Sequence, residues 1–208
     1  MAKYTDADCR LCRREGCKLY LKGERCLTKK CAFERRPQAP GVHGAENARK
    51  KVSEYGLQLR EKQKVRRFYG LQEKQFRSYY EKASRMQGKT GELMLVLLEK
   101  RLDNVVYRLG LGASRAQARQ NVNHGLICVN GKNVNIPSYQ VKVGDVITVR
   151  EGKEDYSMFK AVKDTKIVTP KWLEFDANTL TGKVLSSPER DDIDLNIKEH
   201  LIIEKYSR

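Results

Sequence analysis

The first 31 residues hold five of the six cysteines, and four of them, Cys9, Cys12, Cys26 and Cys31, are spaced C-x2-C-x13-C-x4-C. Two close pairs separated by a loop can surround one tetrahedral cation without strain, which is the ligand pattern of structural zinc. From Cys9 to Cys31 the chain has no sustained hydrophobic period. A metal would therefore serve as the core of a segment that cannot fold by burial alone. Arg10, Arg13 and Lys30 lie beside the thiolates in sequence and offset part of their charge. Cys17 could replace one of the four, and spacing alone leaves iron–sulfur ligation open. Cys128 alternates with Ile127 and Val129 and reads as an ordinary strand residue.

A second constellation occupies residues 101–132. Ser114 can cap a helix running through Val122, on which Arg115 and Arg119 stand one turn apart and share a face expected to be solvated. The N-terminus of that helix offers free N–H groups and a partial positive charge, both suited to phosphate. Asn130-Gly131 supplies the positive φ angles of a tight hairpin turn, with Lys132 just beyond it. Asp103 and Asn104, between Arg101 and Arg108, read as residues that orient a helical turn. His43 sits in a Pro/Gly linker with nothing to make it catalytic, and Asp191, Asp192 and Asp194 lack the Gly and terminal Glu of a calcium loop. There is no phosphate-cradling Gly-rich motif and no nucleophile with its base at a recognised spacing.

These residues need elements to carry them. Ser53 starts a charged helix through about Arg67 with Tyr55, Leu59, Val65 and Tyr69 as sparse anchors, and a second helix runs from about Glu73 to Gln87. The apolar run Leu93–Leu98, followed by Leu102, Val105, Val106 and Leu109, predicts a buried helix or helix pair capped at Thr90. The period then changes to two around Ile127, Val129, Val134 and Ile136, and again over 146–149. Trp172, Leu173, Phe175, Thr181-Gly182 and Val184 predict a further hairpin, while 197–206 fits either a helix or a strand.

Charge points to the partner. Of 208 residues, 42 are Lys or Arg and 26 Asp or Glu, for a net +16. Residues 1–52, 53–92 and 93–150 carry +8, +5 and +5, whereas 151–208 carry −2. The first three quarters therefore call for a polyanion bound through phosphate neutralisation. The last quarter is expected to pack on the protein itself or on a neighbouring protein. No stretch approaches the roughly 18 apolar residues of a spanning helix, and the start has no apolar signal core, so no membrane partner is expected and the cytoplasm is the expected location.

The segments Arg101–Gly110, Ser114–Gln120, His124-Gly125 and Val129–Gly131 resemble the small RNA-binding module named after bacterial small-subunit ribosomal protein S4. The resemblance extends to Tyr4, Cys9–Arg13, Gly23–Cys26, Lys30-Cys31, Pro40-Gly41-x-His43-Gly44, Leu59–Lys64 and Glu204-x-Tyr206-Ser207-Arg208, nearly the whole chain. Membership of the S4 family implies an α+β protein with no catalytic role. Its zinc-binding segment and linker would span 1–42, and a helical domain 43–92, completed by 188–208. An inserted RNA-binding module and following hairpin would occupy 93–187. The resemblance implies a primary binder of 16S rRNA that nucleates the 5′ domain, lines the mRNA entry channel and, with ribosomal protein S5, influences decoding accuracy. The expected RNA contacts are Arg101, Arg108, Ser114, Arg115, Arg119, His124, Asn130 and Lys132. The four cysteines place the chain in the metal-bearing branch, with Cys17 as the departure.

Overall fold

The structure, a computed structural model, describes residues 4–46, 51–163 and 168–207. The N-terminal part carries α1 (Asp8–Glu15), a 3-10 turn (Gly23–Cys26), α2 (Ala32–Arg35), α3 (Glu54–Phe68), α4 (Glu73–Ser84) and α5 (Thr90–Glu99). Then follow α6 (Leu102–Arg108), α7 (Arg115–Asn123), β1 (Ile127–Val129), β2 (Lys132–Asn133), β3 (Val146–Val149), α8 (Ser157–Lys163), β4 (Leu173–Asp176), β5 (Thr181–Val184) and α9 (Glu199–Ser207). Helices and an antiparallel sheet make the fold α+β, as the sequence predicts. The chain divides into two compact units, one formed by residues 1–94 with 195–208 and the other by 95–194.

The first unit is helical. Ser53 Oγ accepts the Gly56 N–H at 3.2 Å and so begins α3 where the sequence places it. The C-terminal segment, open between helix and strand in sequence, is the helix α9, and it packs along α3. Its approach depends on a polar stripe. Gln58 is fully buried and donates to Glu204 Oε2 at 3.0 Å, while buried Lys62 donates to Glu73 Oε1 at 2.7 Å. Of the expected anchors Val65 and Tyr69 are buried, whereas Tyr55 is exposed with the Lys205 ammonium 3.7 Å from its ring centroid. Val65 and Phe68 fill the buried side together with Phe76, Tyr79, Ala83 and Ile202. At Gly91 a Cβ would stand 2.8 Å from the Glu199 Cβ, so glycine sets how closely α5 and α9 meet. Glu15, its side chain 1% exposed, pairs with Arg60 at 3.2 Å and with Arg67, which fixes α1 to α3. Burial raises the Glu15 carboxyl pKa against the opposing pull of Arg67 and Arg60.

The second unit folds around an antiparallel sheet of order β2-β1-β3-β5-β4. Asn130 (φ 50) and Gly131 (φ 75) make the β1–β2 turn expected of Asn-Gly. The pairing is shorter than the apolar alternation suggests: β2 ends at Asn133, and Ile136 is exposed. The predicted β4–β5 hairpin forms, closed by Asp176, which accepts the Asn178 N–H and the Thr179 hydroxyl. Leu102, Val105 and Val106 of α6 and Leu109 just beyond it join Ala118 and Val122 of α7 against Ile127, Ile147 and Trp172 in one core. Gly182 lies so close to the end of α6 that a Cβ there would clash with the Leu109 side chain. Of the acidic tail of this unit, Asp194 pairs with Arg108, and Glu189 and Asp192 cap each other's turn. Among the described residues no helix is long and apolar enough to cross a membrane.

Candidate RNA-binding surface

The cysteines come first in the chain. Cys9 and Cys12 lie on α1, Cys26 ends the 3-10 turn, and Cys31 immediately precedes α2. Cys12, Cys26 and Cys31 are buried, and none of the six cysteines is in a disulfide. Burial pushes the Cys12 thiol up to about 11; a hydrogen bond from the Leu19 backbone lowers it, and Cys26, Cys9 and Cys17 add repulsion. The Cys26 sulfur accepts the Lys22 N–H at 3.4 Å. Cys17 is also raised by burial, but the charges around it are those of Lys64, Glu15 and Glu61. Among the described residues, no three His, Cys, Asp or Glu side chains are drawn together as a metal site. The thiol-rich interior and its backbone N–H donors nevertheless have the chemistry of a thiolate site.

The α6–α7 pair carries most of the expected RNA contacts, and here the structure corrects the expected exposure of two arginines. Ser114 does cap α7, its Oγ accepting the Gln117 N–H at 3.3 Å. Arg115 and Arg119, expected on a solvated face, are only 9% and 6% exposed. The Arg115 guanidinium lies 4.4 Å from the Tyr107 ring centroid, and its Nε donates to Asn104 Oδ1 at 3.0 Å. Arg119 Nη1 stands 3.7 Å from Asp103 Oδ2. Arg101 is fully buried and donates bidentately to Asp103 at 3.0 and 2.6 Å. Arg108 donates to both Glu99 carboxylate oxygens at 3.2 Å and also pairs with Asp194. Burial opposes the Arg108 charge, but Glu99 and Asp194 more than compensate and raise its pKa. Asn104 closes the set, its Nδ2 donating to Glu99 Oε2 at 2.6 Å.

These arginines share one physical circumstance. Arg101, Arg115 and Arg119 find carboxylate, amide or aromatic partners within the α6–α7 region and Arg108 finds Glu99 and Asp194, as burial makes a charge costly unless it is paired. Asn130 is likewise engaged: its Nδ2 donates to Asp145 Oδ1 and its Oδ1 accepts the Val146 N–H, each at 2.9 Å. Lys132 and His124 are exposed, and Ser114 is half-buried.

Sequence reasoning missed α8 and what it builds. A cleft of about 620 Å³ is lined by Gln117, Gln120, Asn121 and His124 of the α7 region, Leu126, and Lys153, Tyr156 and Met158 around the start of α8. Of this lining the sequence singles out His124 alone as a candidate contact, and the weak periodicity beyond residue 151 hides the other wall.

Comparisons with known proteins agree along the full length. The family described as "Ribosomal protein S4/S9 N-terminal domain" matches residues 3–99, and the "S4 domain" matches 100–147. The chain is 62% identical to the small ribosomal subunit protein uS4 of Ruminiclostridium cellulolyticum, with 100% of both chains covered. Over the same complete coverage it is 60% identical to that of Heliobacterium modesticaldum and 59% to that of Clostridium tetani. With both parts of the family pattern in order and full-length relatives at this identity, the chain belongs to the small ribosomal subunit protein uS4 family.

Proposed function

We propose that this protein is a structural constituent of the small ribosomal subunit in the cytoplasm, acting by binding RNA rather than by catalysis. The observation that carries the reading is the 62% identity over the complete chain to a small ribosomal subunit protein uS4. The +18 net charge of residues 1–150 supplies the physical basis. In this reading it is a primary binder of 16S rRNA that nucleates the 5′ domain, lines the mRNA entry channel and affects translational accuracy with ribosomal protein S5. Lys132, His124 and the Ser114 end of α7 provide reachable contacts, and the basic N-terminal segment provides more. Arg101, Arg108, Arg115 and Arg119 act from behind, by holding α6 and α7 in place.

The test is a footprint on 16S rRNA together with a salt titration. Protection of one compact junction is expected, with log affinity falling linearly in log salt at somewhat under about 0.9 per phosphate neutralised. Diffuse protection, or equal affinity for duplex DNA at matched salt, would mean a non-specific basic protein.

We further propose that Cys9, Cys12, Cys26 and Cys31 hold one zinc ion, which would supply the cross-link that the cysteine segment lacks in apolar residues. Burial of three of the four thiols supports this assignment. One zinc per chain is expected by elemental analysis, lost in Cys12→Ser and Cys26→Ser but retained in Cys17→Ser and Cys128→Ser. Zinc loss in Cys17→Ser with retention in Cys26→Ser would exchange the ligand assignment, and iron in place of zinc would replace the cofactor.

A further inference from the structure

The cleft between α7 and the start of α8 brings amide, imidazole, aromatic and cationic side chains together. Its lining holds three side-chain amides (Gln117, Gln120, Asn121), an imidazole (His124), a phenol ring (Tyr156) and one cation, Lys153. No carboxylate lines it. The nearby Asp155 is paired with Lys160 at 3.2 Å. Two of the amides are committed to the fold: Asn121 Nδ2 donates to the Leu111 carbonyl at 2.8 Å, and Gln117 Oε1 accepts the Ala113 N–H at 3.0 Å. Gln120 and His124 are exposed, and among the described residues neither side chain is hydrogen-bonded to another. Tyr156 is 39% exposed, with the Lys153 ammonium 5.5 Å from its ring centroid.

Chemistry narrows the occupant. A side-chain amide presents a donor and an acceptor side by side, which suits the edge of a nucleobase. An exposed aromatic ring offers a stacking face to any base, and a lone ammonium beside that ring suits a phosphate. The volume of about 620 Å³ falls within the roughly 300–1,000 Å³ usual for small-ligand clefts and would be ample for one nucleotide. We propose that this cleft receives a single unpaired RNA nucleotide, its base stacked on Tyr156, its edge met by Gln120 and His124, and its phosphate by Lys153. The proposal rests on the RNA-binding reading above and deepens it by naming a subsite.

The test uses the full-length protein and a 16S rRNA transcript at fixed salt. Tyr156→Ala should lose roughly 5- to 150-fold in affinity, the range of a lost base–aromatic stack, with an unchanged salt slope because no ionic contact is removed. Tyr156→Phe keeps the ring and should recover most of the affinity. Lys153→Ala should instead reduce the salt slope by about one phosphate contact. Because Tyr156 holds α8 through its backbone carbonyl, which accepts the Phe159 and Lys160 N–H groups, its truncation leaves that turn intact. A parent protein that binds normally while Tyr156→Ala binds equally well would overturn the cleft alone. A parent that fails to bind 16S rRNA would remove the RNA-binding reading and the cleft with it. In assembled subunits, a photoreactive phenylalanine analogue at position 156 should crosslink to RNA. Crosslinks only to a neighbouring protein would assign the cleft to a peptide and sink the nucleotide.

Discussion

Asp103→Ala is expected to lower the stability of the second unit by about 3–5 kcal/mol, the cost of removing one partner from a buried ion pair. Arg101 is fully buried with its guanidinium against both Asp103 oxygens. The substitution leaves that charge in the interior without its carboxylate, withdraws the counter-charge of Arg119, and removes the acceptor of the Asn104 N–H at 2.9 Å. Asp103→Asn keeps an acceptor while discarding the charge, so its loss should be smaller. Replacing Arg101 and Asp103 together by Met and Leu should recover much of the stability, since a buried pair often contributes little beyond an apolar pair of similar volume. Urea denaturation of the three variants checks this. A change within about 0.5 kcal/mol for Asp103→Ala, the range of ordinary surface substitutions, would show that the pair is not the buried element described.

Replacing Arg115 and Arg119 together with Ala is the second substitution of large effect. The sequence places both on a solvated face, where a double truncation would leave the thermal transition intact and weaken only RNA binding. Their burial reverses that expectation. Loss of the Arg115 stack on Tyr107, of its hydrogen bond to Asn104 and of the Arg119 contact with Asp103 should together cost about 2 kcal/mol or more, because desolvated cation–π contacts and charged hydrogen bonds each contribute on the order of 1–3 kcal/mol. A shifted urea midpoint is therefore expected alongside any loss of affinity. Lys132→Ala, at an exposed position, should weaken binding with the midpoint unmoved. An unmoved midpoint in the double variant would restore the solvated reading.

The contrast shows which features can be read from sequence. Ser53, Ser114 and Asn130-Gly131 act within a few residues of themselves, through a cap or a turn, and each is found where local chemistry predicts it. The state of an arginine depends on what lies opposite. Arg115 and Arg119 are presented by α7, but Asn104, Tyr107 and Asp103, which engage them, belong to α6, and no periodicity on one helix reports its neighbour's carboxylate. Likewise Gln58 and Lys62 read as surface residues of α3 until α9 and Glu73 supply Glu204 and a second carboxylate. Helix α7 and its cap are thus legible in the sequence, while the far wall of the cleft is not.

The first unit draws its last helix from the far end of the chain. Gln58 meets Glu204 at a separation of 146 positions, and Lys64 meets the Asn196 carbonyl at a separation of 132. A polypeptide emerging from its N-terminus presents α3 with Gln58 uncovered while the whole of residues 95–194 is still being made. Contacts this distant in sequence are slow to close, because the intervening loop must be ordered before they reward it. The second unit, continuous in sequence, can close without α9, whereas the first unit lacks one helix until α9 follows. Truncation anywhere before α9 therefore removes a part of the amino-terminal body, a dependence that a domain map drawn as consecutive blocks would conceal.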